Sequence, residues 1–436
     1  MMTIKSDVQR MNQSEIEKMQ LEMLKKQLLY VYNNSKFYKT KFSGAGIKPS
    51  DIKKLDDFRK IPFSTKEELR KDNWDFVCTP MKDIVDVGTT TGTSGIPIML
   101  PVTHKDWNNL VLLIKSALVE FVGVTKKDVV QLMLAFDQLF SVSTPADDAL
   151  KRIGATSVRT GPGNTIRQIE LMKRLKTTVI YATPDYMLTL AEKAREMGYE
   201  PSKDFDLKKV VLIGQPLYKA GWKPTELKKL IEEIWDVETF SSYGSMEMLA
   251  GFYECPSHAG HHTFPDYLYL EIIDPCSGEV LGPAEEGEIV VTHLKMEGIP
   301  LVRYRQGDLT SMESTNCSCG GTSPRVMAII GRTDNMLKIK GTAVYPQQIE
   351  DIIVSLPQIN NYIIEAFKDQ GGNDAVKIKV SLKNQDKKFL SELKNLMKAK
   401  IRITPEIEIM DSKTISDQVF KQGTRKPKKF WDQRNT

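Results

Sequence analysis

Between Val87 and Thr103 the chain reads VGTTTGTSGIPIMLPVT. From Gly88 to Gly95 every residue is Gly or Thr except Ser94, which adds a further hydroxyl. Glycine lets the backbone turn inward and present its amides, and hydroxyls donate to phosphate oxygens. Such a loop can bind an anion; a solvent-facing Thr/Gly turn is the alternative. A Walker loop is excluded, because no Lys-Ser/Thr pair follows the second glycine. Any phosphate bound here is held by another kind of loop.

A second group of residues could bind metal. The chain has 5 cysteines: Cys78, Cys255, Cys276, Cys317 and Cys319. Three of them fall in two short windows, Cys255-Pro-Ser-His258-Ala-Gly-His261-His262 and Cys317-Ser-Cys319. Zinc prefers thiolate and imidazole in tetrahedral sets, and closed sets of four are structural. The Cys-x-Cys spacing is less usual than Cys-x-x-Cys, and these residues alone leave open which histidine would serve. Buried thiols beside surface histidines are the other reading.

Elements able to position these groups are available. The chain has 436 residues, 41% hydrophobic and 27% charged, which suggests about two to four domains. That apolar share supports large buried cores and excludes a disordered or fibrous chain. Lys and Arg number 61 against 56 Asp and Glu, a net charge of +5. So mild an excess argues against nucleic acid or a membrane as partner. No run approaches the ~18 apolar residues of a membrane helix. The polar amino end, MMTIKSDVQRMNQSEIEKMQ, lacks the apolar core of a signal peptide. A cytoplasmic location with reduced thiols is expected.

Residues 14–34 place Leu21, Leu24, Leu28, Val31 and Tyr32 at helical spacing. Two short helices are expected within 50–70, where Pro62 stops one and Ser64 or Thr65 can cap the next. Short apolar runs at 129–136, 177–182 and 210–214 then alternate with helical stretches at 104–121, 165–176, 185–197 and 219–235. Alternation of this kind predicts an α/β fold with parallel sheets covered on both faces. After 265 the period changes, and 267–274, 287–294 and 300–309 predict an appended antiparallel sheet or small barrel. Helices at 346–355 and 387–402 with strands at 361–367, 374–382 and 405–410 predict a small α+β domain. The expected division is a large domain over 1–332, with a helical segment at 1–80 and the β region at 265–330. A small mobile domain follows over 335–436, with the boundary at Arg332–Asn335.

TTTGTSGIP resembles the phosphate loop of the adenylate-forming enzymes, and four further segments match that family in order. They are SYGSMEM (242–248), YRQGDL (304–309), GRTDNMLKIKGTAVYPQQIE (331–350) and RKPKKFWDQR (425–434). The stretch SKFYKTKFSGAGIKPSDIKKLDDFRKIPFSTKEELR (35–70) is similar to one branch, the phenylacetate–CoA ligase group. The resemblance covers nearly the whole chain. It implies the fold of that family and a need for ATP, Mg²⁺ and CoA. A carboxylic acid, here an aryl or arylacetic acid, would be activated as acyl-AMP with loss of pyrophosphate and passed to CoA. Little covalent work falls to the protein in such chemistry, so positioning and charge neutralisation dominate.

Residue by residue, the resemblance assigns Thr90, Thr91, Gly92, Thr93, Ser94, Gly95, Tyr243, Gly244, Ser245 and Met246 to ATP or AMP, with Tyr243 near the adenine. Glu247 would hold Mg²⁺, Asp308 the ribose hydroxyls and Arg332 the ribose or phosphate edge. Lys426 would bridge carboxylate and phosphate during adenylation. Asp334 would be the hinge, and Lys338, Lys340 and Gly341 would meet CoA. Relatives often carry a lysine beside the loop's last glycine, where Ile96, Pro97 and Ile98 stand here. Lys66 matches a lysine that this branch can fold back toward the phosphates, and it completes a catalytic set with Glu247 and Lys426. Gln215 replaces an acidic residue of many relatives and borders the acyl pocket, whose aromatic walls would be Phe136, Phe140 and Tyr186.

For the thiol cluster the resemblance, matched in register at Gly260 and Asp266, implies a structural zinc set of Cys255, His262, Cys317 and Cys319, leaving Cys78 and Cys276 as unpaired thiols. The expected partners are a small carboxylic acid, ATP and CoA. A monomer and a homodimer both stay open. An amine or a carrier-protein thiol as acceptor is a rival reading, and so is a non-catalytic nucleotide-binding homologue. The latter predicts loss of Glu247, Asp308, Arg332 or the terminal lysine, and none is lost.

Overall fold

The alternating segment forms the parallel half of a nine-stranded sheet. Strands Glu238–Ser245, Lys209–Ile213, Val179–Ala182, Val129–Leu132 and Thr156–Arg159 lie side by side in that order. All four residues of Val179–Ala182 are buried, as expected of a strand covered on both faces. On the other side, Ala250–Glu254, His261–His262, Arg325–Val326 and Met312–Glu313 extend the sheet with antiparallel pairing.

The computed structural model describes residues 7–90, 97–136, 142–339, 342–369, 371–383, 387–419 and 428–434. They form two compact units. One is Met1–Lys223 with Leu230–Gln306 and Thr310–Ala328; the other is Pro224–Lys229 with Gly307–Leu309 and Ile329–Thr436.

The runs after 265 form the strands Leu268–Ile273, Gly287–His293 and Tyr304–Thr310 of a four-stranded sheet, the first two paired antiparallel. Helix Gln13–Asn34 starts with a reciprocal cap between Asn12 and Glu15 and buries Ile16, Leu24, Leu28 and Val31. Two glutamines on its inner face donate to carbonyls of this region, Gln20 to Pro265 at 2.9 Å and Gln27 to Met296 at 2.8 Å. The apolar face of this amphipathic helix is thereby given a fixed seat.

Some elements depart from expectation. The stretch 219–235 is α-helical only over Glu226–Trp235; Gly221 has φ +71° and Pro224 lacks an amide, so no α-helix can run through them. The run 129–136 is a strand only to Leu132, although Met133 and Leu134 remain buried. The Gly/Thr loop joins two strands that periodicity did not indicate, Ile84–Thr89 and Met99–Thr103, paired antiparallel. Helix Ser143–Ile153 and strand Thr156–Arg159 were likewise not anticipated.

The second unit is an α+β fold. Its sheet runs Glu406–Ile409, Asp374–Leu382, Ile359–Lys368, Phe430–Asp432, with an antiparallel central pair and parallel outer strands. Tyr362, Ile364 and Ala366 alternate onto one face and pack with Ile349, Ile353, Leu393 and Met397 from helices Pro346–Val354 and Lys387–Ile401. Ile363 points the other way, to Ile415 and Val419 of helix Ser412–Val419. Among the described residues, no helix is long and apolar enough to cross a membrane.

Candidate active site

The segment SYGSMEM lies on a strand end and the turn that follows it. Strand Glu238–Ser245 reverses through Met246–Leu249 into Ala250–Glu254, with Gly244 opposite Gly251. A Cβ on Gly244 would sit 2.4 Å from the Ala250 carbonyl oxygen, so no other residue fits. The Ser245 hydroxyl accepts from the Met248 amide at 3.1 Å. His293 Nε2 donates to the Met248 carbonyl at 2.9 Å, while its Nδ1 accepts from the Leu301 amide at 2.9 Å. That pair of bonds fixes one neutral tautomer, and burial pushes the His293 pKa down to about 4.

So held, the turn leaves Gly244 exposed and Tyr243, Ser245 and Met246 half-buried, but sends Glu247 inward to 5% exposure. Its Oε1 lies 3.0 Å from the Lys66 ammonium. That atom makes no aligned hydrogen bond among the described residues, so the contact is one of charge rather than of hydrogen-bond geometry. A buried acceptor with spare lone pairs is what a hard cation such as Mg²⁺ takes as ligand.

Lys66 arrives from a distant part of the chain. The Ser64 amide donates to the Arg303 carbonyl at 3.0 Å, and the Ser64 carbonyl accepts from the Arg305 amide at 2.9 Å. Thr65 then caps helix Lys66–Lys71 reciprocally with Glu68, and Lys41 pairs with Glu68 at 2.7 Å.

The hairpin carrying the Gly/Thr loop is clamped from outside. Asn73 both donates to the Met99 carbonyl at 3.0 Å and accepts from its amide at 2.8 Å, where the chain returns from the loop. Asp106 accepts from the amides of Thr103, Glu297 and Gly298 at 3.0, 2.8 and 2.8 Å. Thr90 is buried, and its hydroxyl accepts from the Ile98 amide at 3.2 Å. Thr91, Gly92, Thr93, Ser94 and Gly95 lie outside the described residues, as do Phe140, Lys340, Gly341 and Lys426.

Three pocket candidates follow the carboxyl ends of parallel strands. Phe136 is half-buried beyond Leu132, Tyr186 lies in the first turn of helix Pro184–Glu196 and Gln215 follows Ile213. Tyr186 donates to the Gly163 carbonyl at 3.0 Å. The Gln215 amide is engaged with Asp185, accepting from its backbone N–H at 3.2 Å and donating to its carboxylate at 3.0 Å.

In the second unit, Asp308 and Arg332 are direct cross-strand partners, their charged groups 2.9 Å apart. Gly307 has φ +80°, and a Cβ there would meet the guanidinium at 3.1 Å. Asp334 is exposed in a turn, Thr333–Asn335, and its carbonyl accepts from Arg434 at 3.2 Å. Lys338 is exposed on the hairpin Leu337–Ile339 and Thr342–Val344, with its amide bonded to Asp374.

Cys255, His262, Cys317 and Cys319 converge, their ligating atoms all within 4.8 Å of one another. Cys255 Sγ is 3.7 Å from Cys317 Sγ, and Cys319 Sγ is 3.4 Å from His262 Nε2. Ligands of a tetrahedral zinc lie about 3.5–3.8 Å apart. His261 is turned away toward Ser241 and Val326, and His258 toward Glu254.

The AMP-binding enzyme family profile matches residues 31–296, and that of the AMP-binding enzyme C-terminal domain matches 341–434. The chain belongs to the AMP-binding enzyme family. It is 31% identical to a phenylacetate-coenzyme A ligase of Pseudomonas putida, over 91% of this chain and 90% of that one. A phenylacetate-coenzyme A ligase of Escherichia coli is 29% identical, with 92% of each chain covered. The crystal structure of a 2-hydroxyisobutyryl-CoA ligase with bound 2-HIB-AMP superimposes with a TM-score of 0.86 at 24% identity, covering 98% of this chain and 91% of the other.

For this AMP-binding enzyme, sequence reasoning named Glu247 and Lys66 but missed the residues that hold the Glu247 turn and the loop: His293, Asn73 and Asp106. A lone histidine or asparagine at such positions carries no local signal, since each acts on a backbone group far away in sequence. His293 generates a pH prediction. Its folded pKa, about 4, lies below the ordinary 6.5, so the unfolded chain binds the extra proton first and stability falls as pH drops from 6.5 toward 4. His293→Gln, which keeps a donor for Met248, should show a shallower loss of thermal midpoint across that window; equal slopes would refute the assignment.

Proposed function

We propose that the protein is an ATP-dependent, AMP-forming ligase that joins an aryl or arylacetic acid to CoA. The observation that carries this reading is the buried Glu247 carboxylate facing one ammonium, Lys66, in a chain whose phosphate loop has no lysine of its own. Full-length similarity to phenylacetate–CoA ligases supports CoA as the acceptor over an amine or a carrier protein.

In the first half-reaction a carboxylate oxygen attacks the α-phosphorus, the bond to the bridging oxygen breaks, and pyrophosphate leaves with that electron pair. The amides and hydroxyls of Thr90–Gly95 would cradle the phosphates, and Lys66 would supply the cation the loop lacks. Mg²⁺, held by Glu247, would neutralise phosphate charge. Tyr243 would flank the adenine, with Gly244, Ser245 and Met246 beside it, and Asp308, oriented by Arg332, would take the ribose hydroxyls. Lys426 would bridge carboxylate and α-phosphate. The half-buried rings of Phe136 and Tyr186, with Gln215, would wall the acyl group. In the second half-reaction the thiol sulfur attacks the acyl carbon, the bond from that carbon to the phosphate oxygen breaks, AMP leaves with that electron pair, and the thiol proton passes to solvent. Lys338, Lys340 and Gly341 would receive CoA after a rotation about Asp334, whose exposed turn can absorb backbone change.

The four converged thiol and imidazole ligands suit a structural zinc. They sit where the short antiparallel strands end the large sheet, so the ion would fasten the Cys317–Cys319 loop to strands Ala250–Glu254 and His261–His262. No step of the chemistry involves it.

Three measurements bear on this reading. Pyrophosphate release over a panel of carboxylic acids should need Mg²⁺, rise with CoA for the right acid, and fall at least about 100-fold in Glu247→Gln and Asp308→Ala; wild-type rates in both would remove the site assignment. Metal analysis of protein prepared without chelator should find one zinc per chain, and Cys317→Ser should lose zinc and thermal stability together. Finally, Lys426→Ala should slow adenylation while sparing thioester formation from supplied acyl-AMP, and Asp334→Pro, which fixes φ near −65°, should impair one half-reaction far more than the other. Equal losses in both would argue against a division of labour.

A further inference from the structure

We infer that Arg303 is a positioning residue for ATP binding, holding the segment Arg59–Ser64 so that Lys66 stands at Glu247. The inference rests on the phosphate role proposed for Lys66. Arg303 is 3% exposed and spends its whole guanidinium on two tasks. Nε and Nη2 form a two-pronged pair with Glu271, each bond 3.0 Å. Nη1 donates to the carbonyls of Arg59 and Ile61 at 2.6 and 2.7 Å. The Phe63 ring stacks on the same group, 4.1 Å from its centre.

The backbone of Arg303 is committed as well. Its amide donates to the Thr292 hydroxyl at 2.9 Å and its carbonyl accepts from Ser64. Its φ of +44° is unusual for a residue with a side chain, and these bonds on both sides hold it there. The Ser64 hydroxyl adds a bond to the Val302 carbonyl at 2.8 Å. Side chain and main chain of one arginine thus grip residues 59, 61, 63 and 64 in succession. Thr65 caps the next helix, and Lys66 is its first residue. With only Thr65 between Ser64 and Lys66, a shift of the gripped segment is passed on to the ammonium.

Lysine at 303 keeps the charge opposite Glu271, but its three donors on one nitrogen cannot replace the four bonds that the guanidinium fork makes to Glu271, Arg59 and Ile61. Phe63→Leu loosens the stack without unbalancing a buried charge. The experiment measures ATP affinity in the presence of Mg²⁺ by calorimetry on the full chain, for wild type, Arg303→Lys, Phe63→Leu, Lys66→Ala and the double variants with Lys66→Ala, with thermal midpoints recorded for all. Arg303→Lys should weaken ATP about fivefold and Phe63→Leu about twofold, and neither should weaken it further once Lys66 is alanine. A general loss of packing would instead lower affinity equally with or without Lys66, and that additivity would overturn the inference. ATP affinity unchanged in Arg303→Lys, with Lys66→Ala weakened, would also overturn it while leaving the role of Lys66 intact. ATP affinity unchanged in Lys66→Ala would remove both.

Discussion

Withdrawing a carboxylate from water costs free energy unless a cation or hydrogen-bond donors meet it. Glu247, 5% exposed at the tip of a four-residue turn, is in that position, and much of the first unit is arranged around it. His293 and Ser245 hold the turn that buries it. The cation comes from Lys66, at the start of a helix that Ser64 ties to the strand beginning at Tyr304. Lys66 remains 38% exposed, so water screens the pair and it adds on the order of 1 kcal/mol at most to folding. Its consequence lies in where the ammonium is delivered rather than in stability.

The parallel sheet puts several candidate site residues at the same end of neighbouring strands. Tyr186, Gln215 and Glu247 each follow the carboxyl end of one of three adjacent strands, Val179–Ala182, Lys209–Ile213 and Glu238–Ser245. Open α/β sheets bind ligands in the crevice outside those ends, where backbone groups and loops converge. Gln215 and Asp185 bond each other reciprocally there. An acid at 215 would instead face the Asp185 carboxylate, which accounts locally for the amide at that position.

At the other edge the sheet finishes in two-residue strands, too short to hold themselves by ladder bonds alone. The Cys and His cluster sits beside them, and Thr322 of the same loop donates to the carbonyls of Gln9 and Met11. The amino end and the sheet edge are thus fastened at one place, which leaves the ladder without a long open edge.

Much of this was decided by sequence alone. Apolar runs set three of the five parallel strands, the change of period after 265 set the antiparallel sheet, and alternation set the two faces of the small unit. The family resemblance named Glu247, Asp308 and Arg332 as site candidates, and with the two Cys/His windows it named the set that the fold brings together. These are local properties, because periodicity and motif are written in neighbouring residues. What only the tertiary structure decided is long-range. The hairpin around the Gly/Thr loop depends on Asn73 and Asp106, the setting of Glu247 on His293, and the delivery of Lys66 on Arg303, whose contacts reach back across some 240 residues. A buried side chain bonded to a distant carbonyl leaves no pattern near itself in the chain; chain closure through space creates the partner, and only the folded sheet brings it within 3 Å.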